Sequence, residues 1–130
     1  MSEWIPMSSR QFPDTDEVVP ITYIDNDGQI RCDLCAYVSS DGIWHSTNNG
    51  ELNVVVTAWY KHDVAYNGTV EVLDIQNNIK ARFELSAMLK DGSINRTEFD
   101  HERMFLNYQL KALEITEFIP EWIFDQIMEL

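Results

Sequence analysis

The stretch Cys32-Asp33-Leu34-Cys35 holds both cysteines of the chain at zinc-knuckle spacing, and His45, His62 and His101 offer nitrogen ligands. A structural zinc site takes two close pairs. Here there is one, with no second Cys pair and no His-x-His. The two cysteines also fall in QIRCDLCAYV, an alternating stretch whose period of two sends residues three apart to opposite faces. The reading is a pair of core cysteines, with zinc on Cys32 and Cys35 as the alternative. No helix start follows to lower a thiol pKa, which disfavours a redox pair. Glu98-x-x-His101 has the spacing of half a carboxylate-bridged di-iron site, but the second Glu-x-x-His and the two further helical glutamates are missing. His101, between Asp100 and Glu102, reads as a solvated helix residue. There is no Gly-x-Ser-x-Gly, no Gly-rich phosphate loop and no Walker-type lysine. The chain is expected to be no enzyme and to carry no cofactor.

The stretch DGSINRTEF, residues 91–99, offers oxygen ligands instead. A calcium loop of the EF-hand kind takes them at positions 1, 3, 5 and 12, with Gly at 6 and an apolar residue at 8. With Gly92 at position 6, Asp91 falls at 5, Ile94 at 8, Asn95 at 9 and Glu98 at 12. Phe83 and Leu85 stand where an entering helix carries apolar residues. Residues 83–99 thus resemble a degenerate EF-hand, in which Asp91 and Glu98 are the calcium candidates. Positions 1 and 3 are Ala87 and Leu89, so two carboxylate ligands are absent. Calcium affinity falls with ligand charge, and a glycine turn followed by a capped helix is the favoured reading.

Charge narrows the partners. The chain has 22 acids against 9 bases, a net charge of −13. Nucleic acid and an anionic membrane surface are both repelled by such a chain. A basic protein surface is attracted and reached quickly. The acids are spread over both halves, 10 against 3 bases in residues 1–66 and 12 against 6 in 67–130. Two stretches lack any base. Residues 11–30 hold Asp14, Asp16, Glu17, Asp25 and Asp27; residues 112–130 hold Glu114, Glu117, Glu121, Asp125 and Glu129. Of the four tryptophans, Trp44 and Trp59 alternate with apolar neighbours and read as core, whereas Trp4 and Trp122 are the candidates for a surface anchor, with Tyr60, Tyr66 and Tyr108 beside them. The N-terminus has neither a basic start nor an apolar run, so a cytoplasmic protein with reduced thiols is expected.

These residues must be positioned by sheet and helix. EVVPITYI reads as a strand, and Pro20 in it suits a sheet edge. DNDG, SSDG and TNNG are turn signals; QIRCDLCAYV, IWHS and LNVVVTAWY are the strands they separate. In QIRCDLCAYV one face would hold Ile30, Cys32, Leu34, Ala36 and Val38. The spacing predicts an antiparallel meander. TVEVLDI and IKARFEL alternate too, and QNN between them would close a hairpin; the second also fits a helix start. TEFDHERMFLNYQLKAL is the clearest helix, with Thr97 as its cap and Asp100 in the capping box. IPEWIFDQIMEL offers a second helix, with Pro120 at its first position and Trp122, Ile123 and Ile127 as an apolar stripe.

Residues 3–62 resemble a small family encoded by phages and prophages, Domain of Unknown Function 551. The resemblance rests on EWIPMSSRQFPDTDEVVPITYID, DGIWHS and VVVTAWYKH, with Trp4, Ile5, Pro13, Val56, Thr57 and Trp59 as matching residues. The chain departs from the family in reading VTAWYKH where Pro-rich residues usually follow, and in continuing through residues 63–130. The resemblance implies a phage or prophage origin and no activity.

The expected fold is α+β: an antiparallel sheet of four to six strands with two C-terminal helices, in one domain with a β-rich part (1–66) and a mixed hairpin and helical part (67–130). The expected function is that of an acidic, phage-encoded inhibitor of the anti-CRISPR or anti-restriction type, a steric block or DNA mimic. It would occupy the basic surface of a host nucleic-acid-handling protein through Asp14, Asp16, Glu17, Asp25, Asp27, Glu114, Glu117, Glu121, Asp125 and Trp122. A metal-binding structural module and an accessory phage enzyme are the alternatives.

Overall fold

The computed structural model describes residues 4–47, 50–60, 66 and 68–130. The chain divides into two compact units, residues 1–71 and 72–130. The fold is α+β, as the patterning predicts.

The first unit is a six-stranded antiparallel sheet. Its strands are β1 (Trp4–Pro6), β2 (Val19–Ile24), β3 (Ile30–Val38), β4 (Trp44–Ser46), β5 (Gly50–Glu51) and β6 (Val55–Tyr60). They lie in the order β1-β6-β2-β3-β4-β5. A meander accounts for β2 to β5, whereas β6 returns to the other side of β2. Pro20 is therefore not on an edge strand. It is tolerated because the β2–β6 ladder begins one residue later, at Ile21 opposite Trp59, so its missing N–H is not needed there. Part of the third turn, Asn48 and Asn49, lies outside the described residues.

Strand β3 does not bury one continuous face. Ala36 and Val38 are buried, but Ile30 and Leu34 are exposed. For Ile30 the β2–β3 register explains this. Ile21 pairs with Leu34 and Tyr23 with Arg31, so two steps on β2 match three on β3, a bulge around Cys32 and Asp33. The bulge resets the alternation. Cys32 is half-buried and Cys35 exposed, so the expectation of two core cysteines is corrected; both are free thiols. Trp4 is also a correction, since it is buried in β1 opposite Tyr60 and is no surface anchor. Met7, Ile21, Val38, Trp44, Val56 and Ala58 are buried with it. Thr57 Oγ1 donates to the Thr22 carbonyl at 3.3 Å, and Tyr66 N–H donates to Thr22 Oγ1 at 3.2 Å, which ties the chain after β6 back to β2.

The second unit is helical: α1 (Ile75–Asp91), α2 (Arg96–Glu117) and α3 (Glu121–Met128). IKARFEL lies inside α1 and residues 69–74 before it form neither strand nor helix, so the hairpin of TVEVLDI and IKARFEL does not form. Asp74 caps α1, its carboxylate accepting from Asn77 N–H at 2.8 Å. Gly92 ends it with φ 83°, a left-handed cap that glycine adopts without strain. Helix α2 begins before Thr97. Its cap is Asn95, whose Oδ1 accepts from Glu98 N–H at 2.8 Å while Glu98 Oε1 accepts from Asn95 N–H at 3.2 Å. That reciprocal pair is the capping box, and it corrects the assignment to Thr97 and Asp100. Leu85, Phe99 and Leu106 form a core cluster with Leu73, Ala81, Leu89 and Ile94 packed on it. Tyr108 is buried as well, its ring 5.7 Å from that of Phe105, and so lies in no exposed face. No helix among the described residues is long and apolar enough to cross a membrane.

Candidate functional site

The sequence candidates separate into four places. Asp14, Asp16 and Glu17 are exposed on the loop before β2. That loop is held by Asp16 N–H donating to the Val38 carbonyl at 3.0 Å. Asp25 and Asp27 lie in the turn after β2. Six residues of strand separate the two groups, roughly 20 Å at the usual rise. Asp25 is spent on its own turn. Its carboxylate accepts from Asp27 and Gln29 N–H, both at 2.9 Å, and from Arg31 Nε at 2.5 Å. The Arg31 contact, then the backbone donors, hold it below the usual carboxylate range. Beside it Tyr23 donates to Asp33, and burial followed by that bond pushes the phenol up to about 12. This polar cluster braces the β2–β3 hairpin.

The metal candidates are likewise engaged locally. Asp91 accepts from Ser93 N–H at 2.8 Å and Ser93 Oγ at 2.5 Å, which lowers its pKa. Glu98 closes the capping box of α2. Four residues, 92–95, join α1 to α2, so Ala87 and Leu89 lie within α1. Glu98, His101 and Glu102 do share one place: they line an open cleft of about 540 Å³ with Leu85, Met88, Ile94 and Thr97. His45 stacks on Tyr37 at 5.3 Å and shares a hydrogen bond with Ser39 Oγ at 3.1 Å, while His62 lies outside the described residues. Among the described residues no three of His, Cys, Asp and Glu are grouped to hold a metal ion.

The α2–α3 corner gathers the remaining candidates. Helix α2 ends at Glu117, and α3 starts at Glu121 after Pro120, which is the cap of α3 and not its first helical residue. Glu117, Glu121 and Asp125 are exposed, and so is Trp122, at 63%. On α3 the residues 121, 122 and 125 lie on one side at helical spacing, while Phe124 and Ile127 are buried on the other. Glu114 differs from the other acids. Its carboxylate accepts from the buried Lys111 Nζ at 2.7 Å, and Lys111 lies 5.7 Å from the centre of the Phe124 ring. Glu114 thus supplies the counter-charge for a buried cation.

Phe118 completes the corner. It caps α2 in the left-handed region, φ 56° and ψ 47°, and is 86% exposed. A bulky residue is uncommon there, where glycine is the usual choice. The last turn of α2 also carries acids and no base, against the negative end of the helix dipole. Two local rules are broken together by residues that bury little, and such conflicts gather at functional surfaces. Phe118 was missed in the sequence, yet a signal exists. Pro120 makes Ile119 extended, which places the helix end at Phe118, and no glycine is there.

The corner therefore presents two exposed rings inside a fringe of carboxylates, the composition that suits a cationic surface with an apolar recess. No protein-family model matches the chain, and neither a curated protein nor a solved structure matches it.

Proposed function

We propose that this chain is a non-enzymatic, phage-encoded binding protein that docks its α2–α3 corner on the basic, nucleic-acid-binding surface of a host defence protein in the bacterial cytoplasm. It acts as an inhibitor of the anti-CRISPR or anti-restriction type, covering the surface that nucleic acid would use. The observation that carries the reading is the corner itself. Exposed Phe118 and Trp122 stand among Glu117, Glu121 and Asp125, in a chain of net charge −13. The rings supply affinity by burial, and the carboxylates steer the approach and reject anionic partners. The resemblance of residues 3–62 to a phage family motivates the setting.

The test is a pull-down from bacterial lysate with the wild-type chain and with a Glu117→Lys, Glu121→Lys, Asp125→Lys variant, eluted across a salt series. Glu114 is left unchanged because Lys111 depends on it. The expected result is one nucleic-acid-handling protein, released as salt rises and absent from the variant lanes. Equal recovery by both chains would refute the placement on this corner.

A further inference from the structure

Helix α1 buries a cation that has no counter-charge among the described residues. Arg82 is 2% exposed. Its Nε donates to Asn78 Oδ1 at 2.7 Å, and Asn78 Nδ2 donates to the Leu106 carbonyl of α2 at 3.0 Å. One side of the guanidinium is thereby fixed in place. The far edge is not satisfied: Nη1 and Nη2 are both buried and make no hydrogen bond among the described residues. No described carboxylate pairs with it. The charge that reaches it is a second cation, Arg103, which is half-buried and donates from Nη2 to the Met128 carbonyl at 2.7 Å. Burial first, and then Arg103, push Arg82 down to about 10, so it stays charged at neutral pH.

Such an arrangement is unexpected in this chain. Acids outnumber bases by 22 to 9, and Arg31, Arg96 and Lys111 each have a carboxylate partner. A buried charge is ordinarily paired. Arg82 instead has Asn78, a neutral group that orients it without neutralising it. A guanidinium held by its Nε, with its two-nitrogen edge unpaired among the described residues, is the fork that receives two oxygens of one oxyanion. Chloride, a single point, matches that fork less well.

We propose that Arg82, oriented by Asn78 and assisted by Arg103, is an interior receptor on the α1–α2 pair for an oxyanion, a phosphate or carboxylate group. The anion accepts from Nη1 and Nη2 of Arg82, which have almost no accessible surface here, so its entry requires the side chains covering them to move aside. Low dielectric around Arg82 strengthens the contact and excludes competing water. The site is independent of the acidic corner and does not rest on the function proposed for it.

Thermal unfolding of the full chain in chloride, inorganic phosphate or acetate at matched ionic strength tests this. The expected result is a saturable rise in the wild-type midpoint with phosphate or acetate over chloride, about 5 °C at ten times Kd. Arg82→Met loses that rise, whereas Lys90→Met, a change at an exposed base of α1, keeps it. A phosphate response identifies a phosphate-type ligand and an acetate response a carboxylate. No rise with either anion, or an undiminished rise in Arg82→Met, overturns the proposal. Should Arg82→Met fail to fold, the Arg82 Nε–Hε resonance of the wild-type chain decides: saturable movement on phosphate addition upholds the site, and a static resonance overturns it.

Discussion

Replacing Phe118 by glycine should make the protein more stable and less able to bind. The backbone of Phe118 sits at φ 56°, where a residue with a Cβ pays on the order of 1–3 kcal/mol and glycine pays little. Glycine frees the unfolded chain, which returns roughly 0.4–1 kcal/mol of that gain. The ring is 86% exposed, so truncating it sacrifices little burial. The balance is a stabilisation of about 1 kcal/mol, or about 4 °C in midpoint. Urea unfolding followed by the helical signal measures it. Phe118→Ala is the control: it removes the ring, keeps the strain, and should give no gain. Both variants should lose affinity for the captured partner by at least about 1 kcal/mol. If Phe118→Gly destabilised the protein by 1 kcal/mol or more, the ring would have an internal packing role and the argument from strain would fail. If it bound as tightly as wild type, the strain would serve something other than docking.

Further outcomes follow from the same geometry. Asn95→Ala should cost about 1 kcal/mol in urea unfolding, and Thr97→Ala should fall within about 0.5 kcal/mol of wild type, because Asn95 and not Thr97 caps α2. The phenol of Tyr23 is raised to about 12 in the folded chain, so the stability it contributes is full below pH 10 and is lost as pH climbs through 12. Tyr23→Phe should flatten that part of the alkaline unfolding curve, and an unchanged curve would count against the Tyr23–Asp33 contact. Burial alone raises Tyr108 as well, so some alkaline loss remains in the variant. Cys35 is exposed and Cys32 half-buried, so a thiol reagent should label Cys35 first in the native state, identified by peptide mass.

Alternation and turn residues predict the α+β class, strands β2, β3, β4 and β6 and the last two helices, whereas β1 and β5, three and two residues long, are too short to show a period. They misled at β3 because a bulge is a tertiary event. QIRCDLCAYV alternates throughout, and only its pairing with β2 shows the extra residue at Cys32 and Asp33 that takes Ile30 out of phase with buried Ala36 and Val38, while Cys35 is exposed on the face opposite Ala36. Pro20 misled because an internal strand tolerates proline where one ladder has not yet begun. The first turns of α1 were ambiguous because Ile75, Ile79, Ala81 and Phe83 satisfy both periods. The cap of α2 was legible, since Asn95 and Glu98 stand at capping-box spacing. Of the candidate site, the acids of residues 112–130 and Trp122 were visible as composition. Phe118 became visible only once its backbone angle and exposure were known, and Arg82 only once α1 was seen to bury it.

The central claim is that the acidic corner, with its two rings, docks on a basic surface. Its most direct measurement is the affinity of the captured partner for the wild-type chain and for the Glu117→Lys, Glu121→Lys, Asp125→Lys variant at low and high salt. The account predicts that the wild-type affinity falls steeply as salt rises, and that the reversed corner binds at least about 100-fold more weakly at low salt with its fold intact. Equal affinity of the two chains, or a wild-type affinity indifferent to salt, would contradict it.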